Sequence, residues 1–427
     1  MMGGHSSAMA LLQAPRFRSH RGKGRLLSLL CGLTLMGCNS APQLPNLIYL
    51  AIGTKADQTI DAEMVEEFRY RLSLLSDGYQ QINPATHFQF ALYSTEKITA
   101  AMRRRNQAGL GPDLMFVNGD TARRLLEQGL VDPFPLTPEL ANLFNAEDLK
   151  RMRTGNGAMA GLPILIQTQV ACFNRKRLPN PPTNVEELLG ASAQGHNIGL
   201  SVDLVSLFWT AGSVGALNAL NRAAVGSPIN PEERRSIVNW LAWLQNAANQ
   251  RRVTFYGNAS STLQEFSAGR LDWIPCSSMD LPRLRKSLGP ALGVTSLPSG
   301  PGGSASPVNR LKVLALGRSS SQPGRKRALT FSRFSVNPLV QRGLTLGSQT
   351  VLPANRFVQI PVQSSRTLAA MVDSQRAGER SATMVSLLEN DNPRIAATQS
   401  LIAQLVFGEV SPLAATDRMI RLFERQR

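Results

Sequence analysis

Apolar runs alternate with stretches whose apolar residues recur every three or four positions, and that alternation sets the first expectation. "NLIYLAI" (46–52) predicts a strand, and Thr59 to Asp77 a long amphipathic helix. "HFQFALY" (87–93) predicts a second strand, Thr95 to Gln107 a helix, "DLMFV" (113–117) a strand, and Thr121 to Gln128 a helix. This βαβαβα order builds an α/β fold with a mostly parallel sheet flanked by helices, whose ligands sit beyond the carboxyl ends of the strands.

A second set of elements follows Asn156-Gly157, a dipeptide that favours a tight hairpin turn. Strands are expected near 158–163, 168–174 and 197–200, and a helix from Asp203. In "NPEERRSIVNWLAWLQNAA", Asn230 suits an N-cap, Pro231 the first helical position, and Glu232 and Glu233 the positive end of the helix dipole. Trp240 and Trp243 share one face of that helix and are read as core. "RLDWIPC" and "ALGVTSL" predict further strands. "SGPGGSASP" (299–307) is a break before "LKVLALG", two helices and a helical C-terminal tail. No internal repeat of fixed period occurs.

The first residues read differently. A cationic stretch precedes an apolar core from Leu26 to Met36, about a dozen residues, which suits a signal peptide and falls short of the ~20 needed to span a bilayer. It ends in Leu35-Met36-Gly37-Cys38, which resembles a bacterial lipobox, so residues 1–37 are expected to be a signal peptide and Cys38 a lipidated N-terminus. Residues 38–45 are then a tether. Met36 is an unusual lipobox residue, and plain secretion is the alternative. Cys172 and Cys276 remain; they could pair or stay as buried thiols, because one distant pair carries no spacing information.

Charge narrows the class little. The chain has 46 Lys and Arg against 29 Asp and Glu, a formal +17. Five of the cations precede Cys38, leaving 41 against 29, or +12, beyond it. Such a balance can favour nucleic acid, anionic lipid or anionic small molecules. No nucleic-acid signature accompanies it, and "GRKRALTFSRF" (324–334) reads as an exposed helix face. No P-loop, GxSxG, HExxH or EF-hand pattern occurs. "GNGAMAG" (155–161) follows no strand and reads as a turn, while His87 and His196 lack metal-ligand spacing. An exported α/β chain without nucleophile, metal or cofactor motif suggests binding without turnover.

Several stretches, in order along the chain, carry a resemblance. "GLGPDLMFVNGDTARRLLEQGLVDPF" (109–134) is similar to the G-x-G-P-D, strand, helix and G-L pattern of the sugar-type solute-binding proteins of bacterial ABC importers, the maltose-binding-like group. "MAGLPILIQTQVACFNRKRLPNPPTNVEELL" resembles their Y-G-x-P and Y-N-K-D-L stretch, with Phe173-Asn174-Arg175 where Tyr-Asn-Lys is usual. "LQEFSAGRLDW", "VTSLPSGPGG", "LGSQTVLPA" and "VFGEVSPLAA" match later landmarks.

The resemblance implies two α/β lobes with a hinge, 46–166 with 312–350 and 167–311 with 351–427, crossing near 165–170, 308–314 and 348–356. It implies a monomer that binds a sugar or polyol between the lobes and hands it to ABC permease subunits. No cofactor, metal, catalytic residue or nucleic acid is involved, and the place is the periplasm, anchored by lipid on Cys38. Lys55, Asn118, Asp120, Gln167, Asp203, Cys276 and Ser278 fall where the family places ligand contacts; Asp120 and Asp203 could equally cap helices. Asp113 is expected to shape the turn that opens its strand. Val117, Met279 and a position near Asn392 match the family's stacking tryptophans and are not aromatic. Trp209, Trp273 and Tyr256 are the other candidate platforms, with Trp273 also readable as core. A small sugar or glycosidic compatible solute therefore fits better than a long maltodextrin. The alternatives are an anionic solute, such as a sugar acid or sugar phosphate, and an exported glycosidase using Asp120 with Asp203.

Overall fold

The computed structural model describes residues 46–54, 60–388 and 392–424. The expected signal peptide, Cys38 and Lys55 lie outside the described residues. The first half of the chain runs β1 (Asn46–Thr54), α1 (Ala62–Ile82), β2 (Thr86–Ser94), α2 (Thr95–Gln107), β3 (Leu114–Asn118), α3 (Gly119–Glu127), β4 (Val131–Asp132), α4 (Pro138–Ala141), α5 (Ala146–Arg151) and β5 (Leu162–Gln167). There follow β6 (Gln169–Asn174), α6 (Val185–Ala193), β7 (Ile198–Ser201), α7 (Leu204–Leu207), α8 (Trp209–Val214), α9 (Leu217–Ala224), α10 (Pro231–Ala248), β8 (Val253–Tyr256), α11 (Ala259–Ser267), β9 (Trp273–Ser277), α12 (Leu281–Leu288) and β10 (Leu292–Thr295). The chain ends with β11 (Arg310–Gly317), α13 (Gln322–Ser335), α14 (Pro338–Ser348), β12 (Leu352–Pro353), α15 (Arg366–Gly378), α16 (Ala382–Leu388), α17 (Pro393–Val406) and α18 (Pro412–Glu424).

Two sheets result, ordered β12-β5-β11-β3-β1-β2, with β4 beside β11, and β10-β6-β9-β7-β8. Parallel pairs occupy the βαβ parts: β1 with β2 and β3, and β7 with β8 and β9. Strands that arrive from or leave for the other sheet pair antiparallel, as β11 does with β3 and β5 and β6 with β9 and β10. Both sheets are therefore mixed, because a chain returning from a crossing enters from the opposite end.

Local chemistry explains the element ends. The Asp61 carboxylate accepts from Met64 N at 2.8 Å and starts α1, which runs to Ile82, beyond the expected Asp77. Tyr79 extends it by packing among Phe88, Phe331 and Phe334, and Asn83 before Pro84 stops it. Asn230 and Glu233 form the reciprocal cap of α10, with Pro231 in its first turn. Gly157 adopts φ 81°, the left-handed conformation its turn requires, while Thr154 and Ala158 close that turn.

All described residues fall in one compact unit. The chain passes from the first sheet to the second through Thr168 alone: Gln167 pairs with Arg310 in one sheet and Gln169 with Ser277 in the other. Thr168 is tied to the second sheet, its O accepting from Ser278 N at 2.8 Å and its N donating to Ser278 Oγ at 3.1 Å. Residues 296–309 make the second crossing, and a third leaves after Pro353, so that α15 packs on β10 and β6 while α17 and α18 pack on α10. A buried polar network joins these segments. Gln169 Nε2 donates to Ser206 O at 2.8 Å, its Oε1 accepts from Val308 N at 3.1 Å, and Asn309 Nδ2 donates to Ser374 O at 2.8 Å.

One apolar core lies on the first sheet and continues through Cys172, Ile274 and Cys276; the other encloses Trp209, Trp240 and Trp273. Trp240 is buried and donates to Thr210 Oγ1 at 2.8 Å, and Trp243 packs partly buried beside it. Cys172 and Cys276 form a disulfide between the neighbouring strands β6 and β9, with Cα atoms 5.8 Å apart.

Candidate functional site

The carboxyl ends of β1, β3 and β5 place Thr54, Asn118 and Gln167 opposite those of β7, β8 and β9, which carry Asp203, Asn258 and Ser277. Between them lies a cavity of about 350 Å³. Gln167, Thr168 and Gln169 form its hinge-side wall, with Arg310 and Lys312 beside them on β11. Among the described residues the lining mixes amides, hydroxyls and charged groups with apolar side chains such as Val205, Leu263, Pro275, Val308 and Leu388, and none of these residues is aromatic. Asn118 Oδ1 and Thr168 Oγ1 are buried there without a hydrogen-bond partner in the protein, and such groups are costly unless a ligand or water completes them.

An outer space of about 630 Å³ shares Thr54, Gln167, Asn258, Asp280 and Lys312 with the inner one and opens between α1, α11 and α12. Its walls are charged, with Asp61, Glu66 and Glu67 facing Arg71, Arg283 and Lys286. Arg71 crosses from α1 to the turn after β9, donating to Met279 O at 2.7 Å and pairing with Glu67. Burial lowers the Arg71 pKa, opposed by Glu67 and Asp280. Among the described residues no cluster of His, Cys, Asp or Glu is arranged to hold a metal ion.

Residues 79–370 match the model of a family described as bacterial extracellular solute-binding protein. The chain belongs to that family. Solved structures share its fold. The GacH receptor of Streptomyces glaucescens, solved unliganded and with acarbose, is 15% identical, with TM-score 0.67 over 90% of this chain and 98% of that one. The maltose-maltodextrin binding protein of Alicyclobacillus acidocaldarius is 18% identical, with TM-score 0.62 over 88% and 100%. The maltose/maltodextrin-binding domain from Bdellovibrio bacteriovorus, bound to maltotriose, is 15% identical, with TM-score 0.63 over 89% and 99%. A comparison with curated protein sequences finds no match. The protein is thus an extracellular solute-binding protein of the ABC-importer type and not an enzyme, with the two-sheet periplasmic-binding-protein fold.

In this solute-binding protein the expected contact residues separate into groups. Asn118, Gln167 and Asp203 line the inner cavity. Asp203 also caps α7, accepting from Ser206 N at 3.2 Å and Ser206 Oγ at 2.7 Å. Cys276 lines the same wall, but its sulfur is held in the disulfide rather than presented as a thiol. Ser278 is fully buried and its hydroxyl accepts from Thr168 N, so it serves the crossing and not the cavity lining.

Asp120 departs most from expectation. It is 1% exposed and lies outside both cavity linings. Its Oδ1 accepts from Ser386 Oγ on α16 at 2.8 Å and from Arg123 at 3.2 Å, and Oδ2 has no partner. Nor does it cap α3, which begins one residue earlier with Asn118 at the cap position. The carboxylate therefore links a helix of the first sheet to one packed with the second. Asp113 instead ties strands together, accepting from Tyr49 N at 2.9 Å and from Ser320 Oγ.

Of the candidate platforms, Trp273 takes its core reading and Trp209 is core as well. Trp209 and Trp273 are 0% exposed and pack against each other, ring centroids 5.9 Å apart, so neither has a face to offer a sugar. Tyr256 is half-buried at the end of β8, outside both linings, and its pKa is raised by burial and then by Glu265. Sequence reasoning missed Thr54, Thr95, Thr168, Asn258, Arg310 and Lys312. The last two had a signal, since cations at alternate positions open an otherwise apolar strand, "RLKVLALG".

Proposed function

We propose that this solute-binding protein captures a small hydroxyl-rich solute, a sugar or glycosidic compatible solute, in the inner cavity and delivers it to ABC permease subunits. The lobes are 46–166 with 312–350 and 167–311 with 351–427, closing about Thr168, and lipid on Cys38 anchors the chain at the membrane. The observation that carries the reading is the lining itself: Thr54, Asn118, Gln167, Thr168 and Asn258 converge on about 350 Å³ without an aromatic face. Each amide or hydroxyl left unpaired by a wrong ligand costs roughly 1 to 3 kcal/mol, which gives such a site its selectivity. Lys55, which follows Thr54 in the sequence, is proposed as a further contact. The solved relatives are described with maltodextrins or acarbose; lacking a ring platform, this cavity suits a shorter ligand.

A second reading, a solute that also carries a carboxylate or phosphate, is favoured by Arg310 and Lys312 in the same wall. Thermal-shift screening against neutral sugars, sugar acids and compatible solutes tests both. A solute at 100 times its Kd adds about 2.7 kcal/mol of stability, and Gln167→Ala should abolish that gain. A full gain retained in Gln167→Ala places binding elsewhere.

A further inference from the structure

Behind the outer cleft lies a third space of about 70 Å³, between α1, α14 and the first sheet. Leu72, Leu75, Phe116, Ile164, Leu344 and Val351 are among its walls. Phe68, Arg71, Gln167 and Met279 line both this space and the outer cleft, so they form the wall that separates the two. Arg71 lies 5.6 Å over the Phe68 ring and is held by Met279 O, which ties that wall together.

Protein interiors are packed with few voids larger than a water molecule, and a void walled by aliphatic and aromatic groups stays dry and takes apolar guests. This chamber exceeds the roughly 10–15 Å³ a water needs, yet almost all its walls lack polar partners for one. Benzene, with six carbons, occupies an apolar cavity of about 150 Å³, so 70 Å³ corresponds to about three carbons.

The geometry points to an amphiphilic ligand: a hydroxyl-rich part in the inner cavity and a short apolar substituent of about three carbons seated in the chamber beside Gln167, which lines both, past the shared wall of Phe68, Arg71 and Met279. This inference rests on the inner cavity being the ligand seat. An alkyl glycoside or a polyol ether has the required chemistry, and an unsubstituted sugar leaves the chamber empty.

Xenon and matched alkyl glycosides test it. Crystals of the protein under xenon pressure should show xenon between Leu75, Ile164 and Leu344; no xenon there overturns the inference whatever the fate of the polar reading. In calorimetry with methyl and propyl glucosides and galactosides, each further seated carbon contributes about fourfold in affinity, so the propyl compound should bind about 15-fold more tightly than its methyl partner. Val351→Phe, which fills the chamber, should make the two bind alike. Equal binding of methyl and propyl compounds by the unaltered protein overturns the chamber while leaving the inner cavity standing. Absence of binding by every glycoside overturns this inference, and the polar reading falls with it if the thermal-shift screen also finds no stabilising solute.

Discussion

Removing the Cys172–Cys276 disulfide should lower stability by several kcal/mol, and the size follows from where the bond sits. The two cysteines are 104 residues apart, so the link removes a long loop from the unfolded ensemble. Chain-entropy reasoning assigns a loop of that length about 4.7 kcal/mol, and native disulfides commonly deliver 2 to 5. Both partners lie on neighbouring strands of one sheet, which positions the bond without rearrangement of the fold. Cys172→Ala with Cys276→Ala is the suitable variant, because Ala adds no buried hydroxyl. Since Cys172 is 0% and Cys276 5% exposed, reductant reaches the bond chiefly through unfolding, and the reduced sample is best prepared by unfolding and refolding with reductant present. Urea unfolding should show a lower midpoint for both the variant and the reduced protein, with a larger m because the uncrosslinked chain exposes more surface. Identical midpoints and slopes with and without reductant would refute the reasoning, since the bond would then be absent in solution.

Further outcomes follow from the same geometry. Asp120→Ala and Ser386→Ala each remove one partner of the 2.8 Å bond between α3 and α16, and their double-mutant cycle should show 0.5 to 3 kcal/mol of coupling by chemical denaturation; additive effects would deny the link. Trp273→Ala should cost about 3 to 5 kcal/mol in unfolding free energy, the loss expected of a core ring; a change within about 0.5 kcal/mol would mean an exposed ring. Tyr49 has its pKa raised to about 12 by burial and then by Tyr93, above the usual value near 10. The folded state holds that proton more tightly, so its contribution is present below about pH 10 and is lost as pH rises toward 12. Tyr49→Phe should flatten this alkaline loss of stability, and an unchanged alkaline profile would count against the assignment.

The elements were legible where local sequence dictates them and obscure where distant segments do. "LKVLALG" read as a strand because a continuous apolar run of that length is buried in a covered sheet, "HFQFALY" because its polar His87 and Gln89 alternate with Phe88 and Phe90 as on a half-exposed edge strand, and Asn230-Pro231 read as a helix start because its cap is made within three residues. The end of α1 was not legible from periodicity, since Tyr79 belongs to the helix through rings on β2 and α13. Gln167 and Asp203 were named only through the resemblance to the family, and both line the inner cavity. Asp120 looked equivalent, yet α16, more than 250 positions later, covers it. Trp240, Trp243 and Trp273 could be read as core, whereas Trp209 could not be told from a platform, because a ring's burial depends on which layer lies over it, and Trp209 is covered by Trp273. Arg310 and Lys312 reach the cavity only because the chain crosses back beside Gln167. The cysteine pairing, too, required the register of β6 against β9.

The most direct measurement of the central claim is a crystal structure of the protein with whichever screened solute stabilises it most. Solute density should fill the space bounded by Asn118, Gln167, Asp203 and Asn258, with hydroxyls completing Asn118 Oδ1 and Thr168 Oγ1. Density on an outer face, with that inner space holding only water, would contradict the account.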